Sequence, residues 1–114
     1  MDNRPSCLEI NDFLLQVRQA IDSGNCGFAS RMKCMQFLAK IGYMPEDIFD
    51  DIYNLQDTDY FSGPEMDHNP SYKDCVWVFK KNICGYKTYI KIKLIEEENS
   101  KLWCFAFHED RPNY

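Results

Sequence analysis

The last third of the chain contains the side chains that phosphodiester chemistry needs: Lys80, Tyr89, Lys91, Lys93 and His108. Cleaving an RNA backbone without a metal requires three things. A 2′-hydroxyl must lose its proton, the charge building on the non-bridging phosphate oxygens must be stabilised, and the departing 5′-oxygen must gain a proton. A histidine moves protons readily near neutral pH. Ammonium groups stabilise the developing charge. A tyrosine stacks on a base or hydrogen-bonds a phosphate. Upstream, Glu65 or Asp67 could supply a base. The structural alternative is plainer. Lysines solubilise an open sheet face and guard its edges, a histidine near a strand end is surface, and Tyr89 packs against Val78. Glu65, in a Gly-Pro-Glu turn, is then solvated or caps a neighbour.

Whether these groups meet depends on three predicted strands, at 75–80, 88–94 and 102–108. Side chains alternate along a strand, so parity assigns faces. Trp77, Phe79, Ile90, Ile92, Leu94, Trp103, Phe105 and Phe107 form the expected core layer. The opposite face then carries Val76, Val78 and Lys80, Tyr89, Lys91 and Lys93, and Cys104, Ala106 and His108. If Lys81 and Tyr86 close the first hairpin, Tyr89 lies opposite Val78 and Lys91 opposite Val76. In the second hairpin, pairing Leu94 with Trp103 sets Tyr89 opposite His108. A slip of two residues keeps the faces and brings His108 opposite Lys87. A slip of one would expose the aromatic face and is excluded.

The elements that must support this sheet lie upstream. Ser6-Cys7-Leu8-Glu9 has the form of a capping box. Ile10, Phe13, Leu14, Val17 and Ile21 follow at helical spacing until Gly24, which predicts a helix over 7–23. Cys26-Gly27-Phe28-Ala29 reads as a short edge strand. Ser30 is placed to cap a second helix with Met32, Met35, Leu38 and Ile41 on its buried face and Gly42 as its stop. Pro45 suits the first turn of a third helix, with Glu46 and Asp47 where the dipole favours anions. Ile48, Phe49, Ile52 and Leu55 supply its apolar face. From 56 to 74 turn residues dominate and a long loop is expected. Helices followed by an antiparallel sheet make an α+β plan, with N-terminal helices on one face of the sheet.

The net charge is −5 at pH 7, which alone argues against a polyanion as partner. Its distribution argues otherwise. Residues 1–70 carry five basic and twelve acidic groups, whereas 71–95 carry six lysines and one aspartate. A local basic stripe is what an anionic ligand feels. On this reading Lys80, Lys81, Lys87, Lys91 and Lys93 are the RNA-binding residues. The chain's 114 residues suit a single domain. No apolar run has the roughly eighteen residues of a membrane span, and Met1-Asp2-Asn3-Arg4-Pro5 is followed by no apolar signal core. A cytoplasmic protein that uses no membrane is therefore expected. Six scattered cysteines without a CxxC pair then read as reduced thiols. His68 reads as surface. No metal-ligand spacing, phosphate-binding glycine loop or nucleophile elbow is visible, and no cofactor is expected.

Several segments together resemble the MqsR-type toxins of bacterial type II toxin–antitoxin modules, which share the RelE-like ribonuclease fold. They are Asp59-Tyr60, Gly63-Pro64-Glu65-Met66-Asp67, Val76-Trp77-Val78-Phe79, Gly85, Tyr89-Ile90-Lys91 and Cys104-Phe105-Ala106-Phe107-His108, in that order. The resemblance runs from the first helix nearly to the last residue. It implies an mRNA endoribonuclease that needs no metal, leaves a cyclic phosphate, arrests growth and is neutralised by a cognate antitoxin. Tyr89 falls on the family's tyrosine. His108 stands where one family member has a lysine and other RelE-like toxins carry a nearby histidine. The pattern also departs. A family lysine would fall near Ser62, and a glutamine near Val76 or Trp77; Lys80, Lys91 or Glu65 would have to take over. The acidic net charge is unusual for such toxins. The competing expectation is a non-catalytic RNA- or protein-binding regulatory module that uses the sheet as a docking surface. A third is a nuclease that acts only on the ribosome.

Overall fold

The computed structural model of the chain describes residues 4–66, 75–95 and 100–111. Helix α1 spans Cys7–Asp22, strand β1 Cys26–Phe28, helix α2 Met32–Ile41 and helix α3 Asp47–Tyr53. A 3-10 turn over Asp57–Asp59 leads into β2, Tyr60–Met66. Strands β3, β4 and β5 follow at Cys75–Ile83, Tyr86–Ile95 and Lys101–Glu109. The five strands form one sheet in the order β1-β5-β4-β3-β2. Every pairing is antiparallel except β1 with β5, which is parallel. The protein is α+β, with its helices packed against this mostly antiparallel sheet.

Local chemistry accounts for the helix limits. The Ser6 hydroxyl accepts from the Glu9 amide at 3.2 Å, and the Ser6 amide donates to the Glu9 carboxylate at 3.3 Å, which completes the capping box. Helix α2 ends at Gly42, which is left-handed at φ 74° and so continues the chain without a Cβ clash. Its start differs from expectation. Ser30 does not cap it; Arg31 holds the cap position and makes no side-chain capping bond. Its buried face is Cys34, Phe37 and Leu38, while Met32 and Met35 are exposed. Leu38 and the half-buried Ile41 face the core as expected, but Met32 and Met35 do not, because methionine tolerates a wet surface and Cys34 is small enough to sit against the sheet.

The core lies between the helices and one sheet face. Phe13 stacks on Trp77 with ring centroids 4.3 Å apart, and Phe37 and Tyr43 pack on Phe107. Ile48, Ile52 and Leu55 are buried with them, as expected for α3 and its exit.

The sheet departs from the sequence expectation at three places. Residues 60–66 are not part of a loop but an edge strand paired with β3; residues 67–74 lie outside the described set. Gly63-Pro64 reads as a turn, yet an edge strand tolerates proline because one side of its backbone is unpaired. The first hairpin closes two residues further out, at Ile83↔Tyr86, around Cys84 and Gly85, both with positive φ. Lys80 therefore pairs with Tyr89 and Val78 with Lys91. The faces survive because the shift is even. Finally, β5 carries a bulge. Lys91 pairs with Ala106, but Ile92 pairs with Cys104, leaving Phe105 as the extra residue. Beyond it parity inverts. Leu102 and Cys104 are buried in the core, whereas Trp103 and Phe105 turn to the open face and leave the expected core layer. Leu94 pairs with Leu102, not Trp103.

Candidate functional site

One row across the open face brings the candidate residues together. Lys80 on β3 is paired with Tyr89 on β4, and Tyr89 with His108 on β5. Paired residues project to the same face, so all three side chains stand side by side. The Tyr89 and His108 rings are stacked, 5.3 Å between centroids and 13° between planes. His108 Nδ1 lies 3.0 Å from the Glu109 carbonyl oxygen. That contact orients the ring, and in the tautomer with Nδ1 protonated the basic nitrogen is Nε2. The adjacent row is Val78, Lys91 and Ala106. Val78 and Ala106 are small neighbours for Lys91, whose ammonium lies 5.9 Å from the Phe105 ring centre.

Several groups shape this row. The Lys80 ammonium sits 3.6 Å above the centre of the Phe61 ring. It also pairs with the Asp110 carboxylate at 3.0 Å, and Lys87 approaches the same carboxylate at 4.0 Å. Asp110 is held there by its backbone, whose N–H donates to the Lys87 carbonyl at 2.7 Å. Burial raises the Tyr89 phenol above its ordinary pKa, and the negative charges of Glu65 and Asp110 raise it further. Tyr89 is accordingly held as a neutral hydrogen-bond donor over a wider pH range than a free tyrosine. At the rim, the Arg111 guanidinium and the Lys40 ammonium hold the Glu109 carboxyl down at about 2.

The other expected residues divide. Lys87 is exposed and belongs to the open face, two pairings beyond Lys80. Lys93 lies on that face but is only 3% exposed, with its ammonium 5.1 Å from the Phe105 ring centre. It is not the exposed RNA-binding lysine that alternation predicted, because the bulged Phe105 lies beside it. Lys81 is on the helix side of the sheet, where it donates to the Asn54 carbonyl at 3.3 Å, and does not join the site. Glu65 is exposed on β2 opposite Val76, near enough to act on Tyr89 by charge. Asp67 and His68 lie outside the described residues. All six cysteines are free thiols. Among the described residues, no cluster of three or more His, Cys, Asp or Glu could hold a metal ion, and no helix is long and apolar enough to cross a membrane.

Sequence reasoning missed Phe61, Phe105 and Asp110. Phe61 was hidden with its strand by the Gly-Pro signal, and Phe105 by the bulge. Asp110 carried a readable signal, since an acidic residue two positions after a candidate histidine projects to the same end of the sheet. Compared with known proteins, the chain matches no family model and no curated relative.

Proposed function

We propose that this protein is the toxin of a toxin–antitoxin module, an endoribonuclease that cleaves mRNA without a metal and arrests growth. The observation that carries the reading is the Lys80–Tyr89–His108 row, with the imidazole stacked on the phenol and Lys91 beside it. An RNA strand laid over this face would place its scissile phosphate between the ammonium groups and the two rings. The 2′-oxygen forms a bond to phosphorus as the bond from phosphorus to the 5′-oxygen breaks. The 2′-hydroxyl proton passes to a base, and His108 protonates the departing 5′-oxygen or is itself that base. Lys80 and Lys91 stabilise the equatorial oxygens, and the neutral Tyr89 hydroxyl donates to the phosphate. Glu65, whose charge reaches Tyr89, would serve as an alternative base. The products are a 2′,3′-cyclic phosphate and a 5′-hydroxyl. A cognate antitoxin would cover this face or clamp the helices, its acidic groups competing with RNA for the lysines.

A second reading has its own observation. Lys80 is already neutralised by Asp110, as suits a face built to dock a partner without cutting RNA. Inducing the wild-type chain in bacteria beside His108→Ala and Tyr89→Phe, with mapping of RNA 5′ ends, separates the two. Growth arrest with new 5′-hydroxyl ends that vanish in the variants is the result expected of the ribonuclease. Normal growth and unchanged RNA at confirmed expression of folded protein would refute it and leave the binding module.

A further inference from the structure

Next to His108, but off the lysine row, a groove of about 320 Å³ runs between the first turn of α2 and β5. Its place follows from the chain path. After β1 the Ala29 amide donates to the Cys104 carbonyl at 2.9 Å, so the chain enters α2 directly beside Phe105, Ala106 and His108. The volume is at the lower end for small-ligand sites, about 300–1,000 Å³. Its two walls differ in kind. Phe105 and the small Ala106 form one, continuous with His108. Arg31, Met32 and Lys33 form the other, all exposed, with Met32 75% accessible. Among the described residues that line the groove, none is acidic, in a chain whose net charge is −5.

Apolar surface facing a pair of cations, opening onto the histidine that ends the Lys80–Tyr89–His108 row, is the layout for one unpaired nucleotide. We infer that this groove is a nucleotide subsite of the same RNA site. It takes the base of the nucleotide flanking the cleaved bond between Phe105 and Met32, and Arg31 and Lys33 hold that nucleotide's phosphate. The inference rests on the ribonuclease reading for what lies next door, but the groove's own chemistry is recognition of a single-stranded base. The bulge in β5 gains a role: it turns Phe105 out of the core and aims it between groove and lysines, as bulges beside functional sites do. Phe105 and Met32 would then set base preference, and the two cations would set register.

The test uses single-stranded 2′-O-methyl RNA tetramers, which cannot be cleaved, each with an abasic site at one position. Binding is followed by fluorescence anisotropy at several salt concentrations for wild type, Arg31→Ala/Lys33→Ala and Met32→Ser. These positions are exposed, so thermal melting of the variants should match wild type. Loss of both cations should weaken binding about tenfold and flatten the slope of log K against log salt by about 0.7, one single-strand phosphate's worth. One abasic position should cost wild type about tenfold, and clearly less in Met32→Ser. Equal affinities, slopes and abasic penalties in all three proteins would overturn the inference. Cleavage of unmodified RNA by the same preparations separates the two readings. Intact cleavage with no variant effect removes the subsite and keeps the ribonuclease. Variant-sensitive binding without cleavage keeps the subsite and removes the ribonuclease. No RNA binding at all, or saturable binding of an acidic peptide instead, overturns the subsite.

Discussion

Asp110→Asn should tighten RNA binding, although it removes an ion pair. The Asp110 carboxylate lies 3.0 Å from the Lys80 ammonium, and the two side chains are 23% and 19% exposed. At an effective dielectric of about 20 the gross attraction at this distance is roughly 5 kcal/mol. Desolvation of both groups and screening by water cancel most of it. Pairs of this kind near a surface are worth about 0.5–1 kcal/mol net. That is the amount by which a phosphate arriving at Lys80 is opposed, because the same ammonium cannot fully serve two anions. Asparagine keeps the size of residue 110, and its backbone bond to the Lys87 carbonyl does not use the side chain. Removing the charge should therefore lower the Kd for single-stranded RNA up to about fivefold. It should cost the fold no more than about 1 kcal/mol. The salt dependence should also steepen, by about 0.7 in the log–log slope, as Lys80 becomes free to engage one more phosphate. Anisotropy titrations of a 2′-O-methyl RNA, with urea melts of both proteins, measure all three quantities. Unchanged or weaker binding at equal stability, with an unchanged slope, would refute the claim that Lys80 faces the RNA.

Further expectations follow from other parts of the site. Tyr89, its phenol raised by burial and by Glu65 and Asp110, should ionise above the ordinary value of about 10. The unfolded chain then loses that proton first, so Tyr89's contribution to stability is complete below about pH 10 and falls as pH rises toward the folded value. An ultraviolet alkaline titration of wild type minus Tyr89→Phe should show this, with Asp110→Asn and Glu65→Gln each moving the transition down; ionisation at or below the ordinary range would contradict it. Gly63→Ala should destabilise by about 1–3 kcal/mol from backbone strain alone. Gly63 has φ 104°, and an added Cβ would lie 2.6 Å from the Val76 carbonyl oxygen; a urea midpoint equal to wild type would contradict this. Lys81→Ala should leave RNA binding within about twofold, since Lys81 sits on the helix side of the sheet; a loss as large as that of Lys80→Ala would show that the face assignment fails.

How far the sequence could be read depended on the physics of each segment. The capping box of α1, the Gly42 stop, the short β1 and the α+β layering were legible because each rests on local rules. So was the shared face of Tyr89 and His108, which parity protects, although their direct pairing was one of two registers that alternation allowed. What failed was non-local. A single bulged residue, Phe105, inverted the faces of Leu102–Cys104, and alternation cannot announce a bulge when every residue around it is apolar. The β2 strand was hidden because Gly63-Pro64 is a turn signal everywhere except on an edge. Met32 and Met35 misled because hydrophobic periodicity fits more than one stripe of a ten-residue helix. As a result the shared face of Lys80, Tyr89, Lys91 and His108 was found from the sequence, while the Lys80–Tyr89 pairing, Phe61, Asp110 and the α2 groove required the fold.

The central claim is that His108 moves a proton in RNA cleavage on this face. Its most direct test is incubation of purified wild type and His108→Ala, matched in melting temperature, with mRNA in the presence of a chelator, both free and engaged on ribosomes. Product ends are read as 2′,3′-cyclic phosphate and 5′-hydroxyl. The expected result is cleavage with those ends by wild type and a loss of about 10²–10⁴-fold in rate for His108→Ala. Cleavage that survives the substitution, or no cleavage of either RNA by the folded wild-type protein, would contradict it.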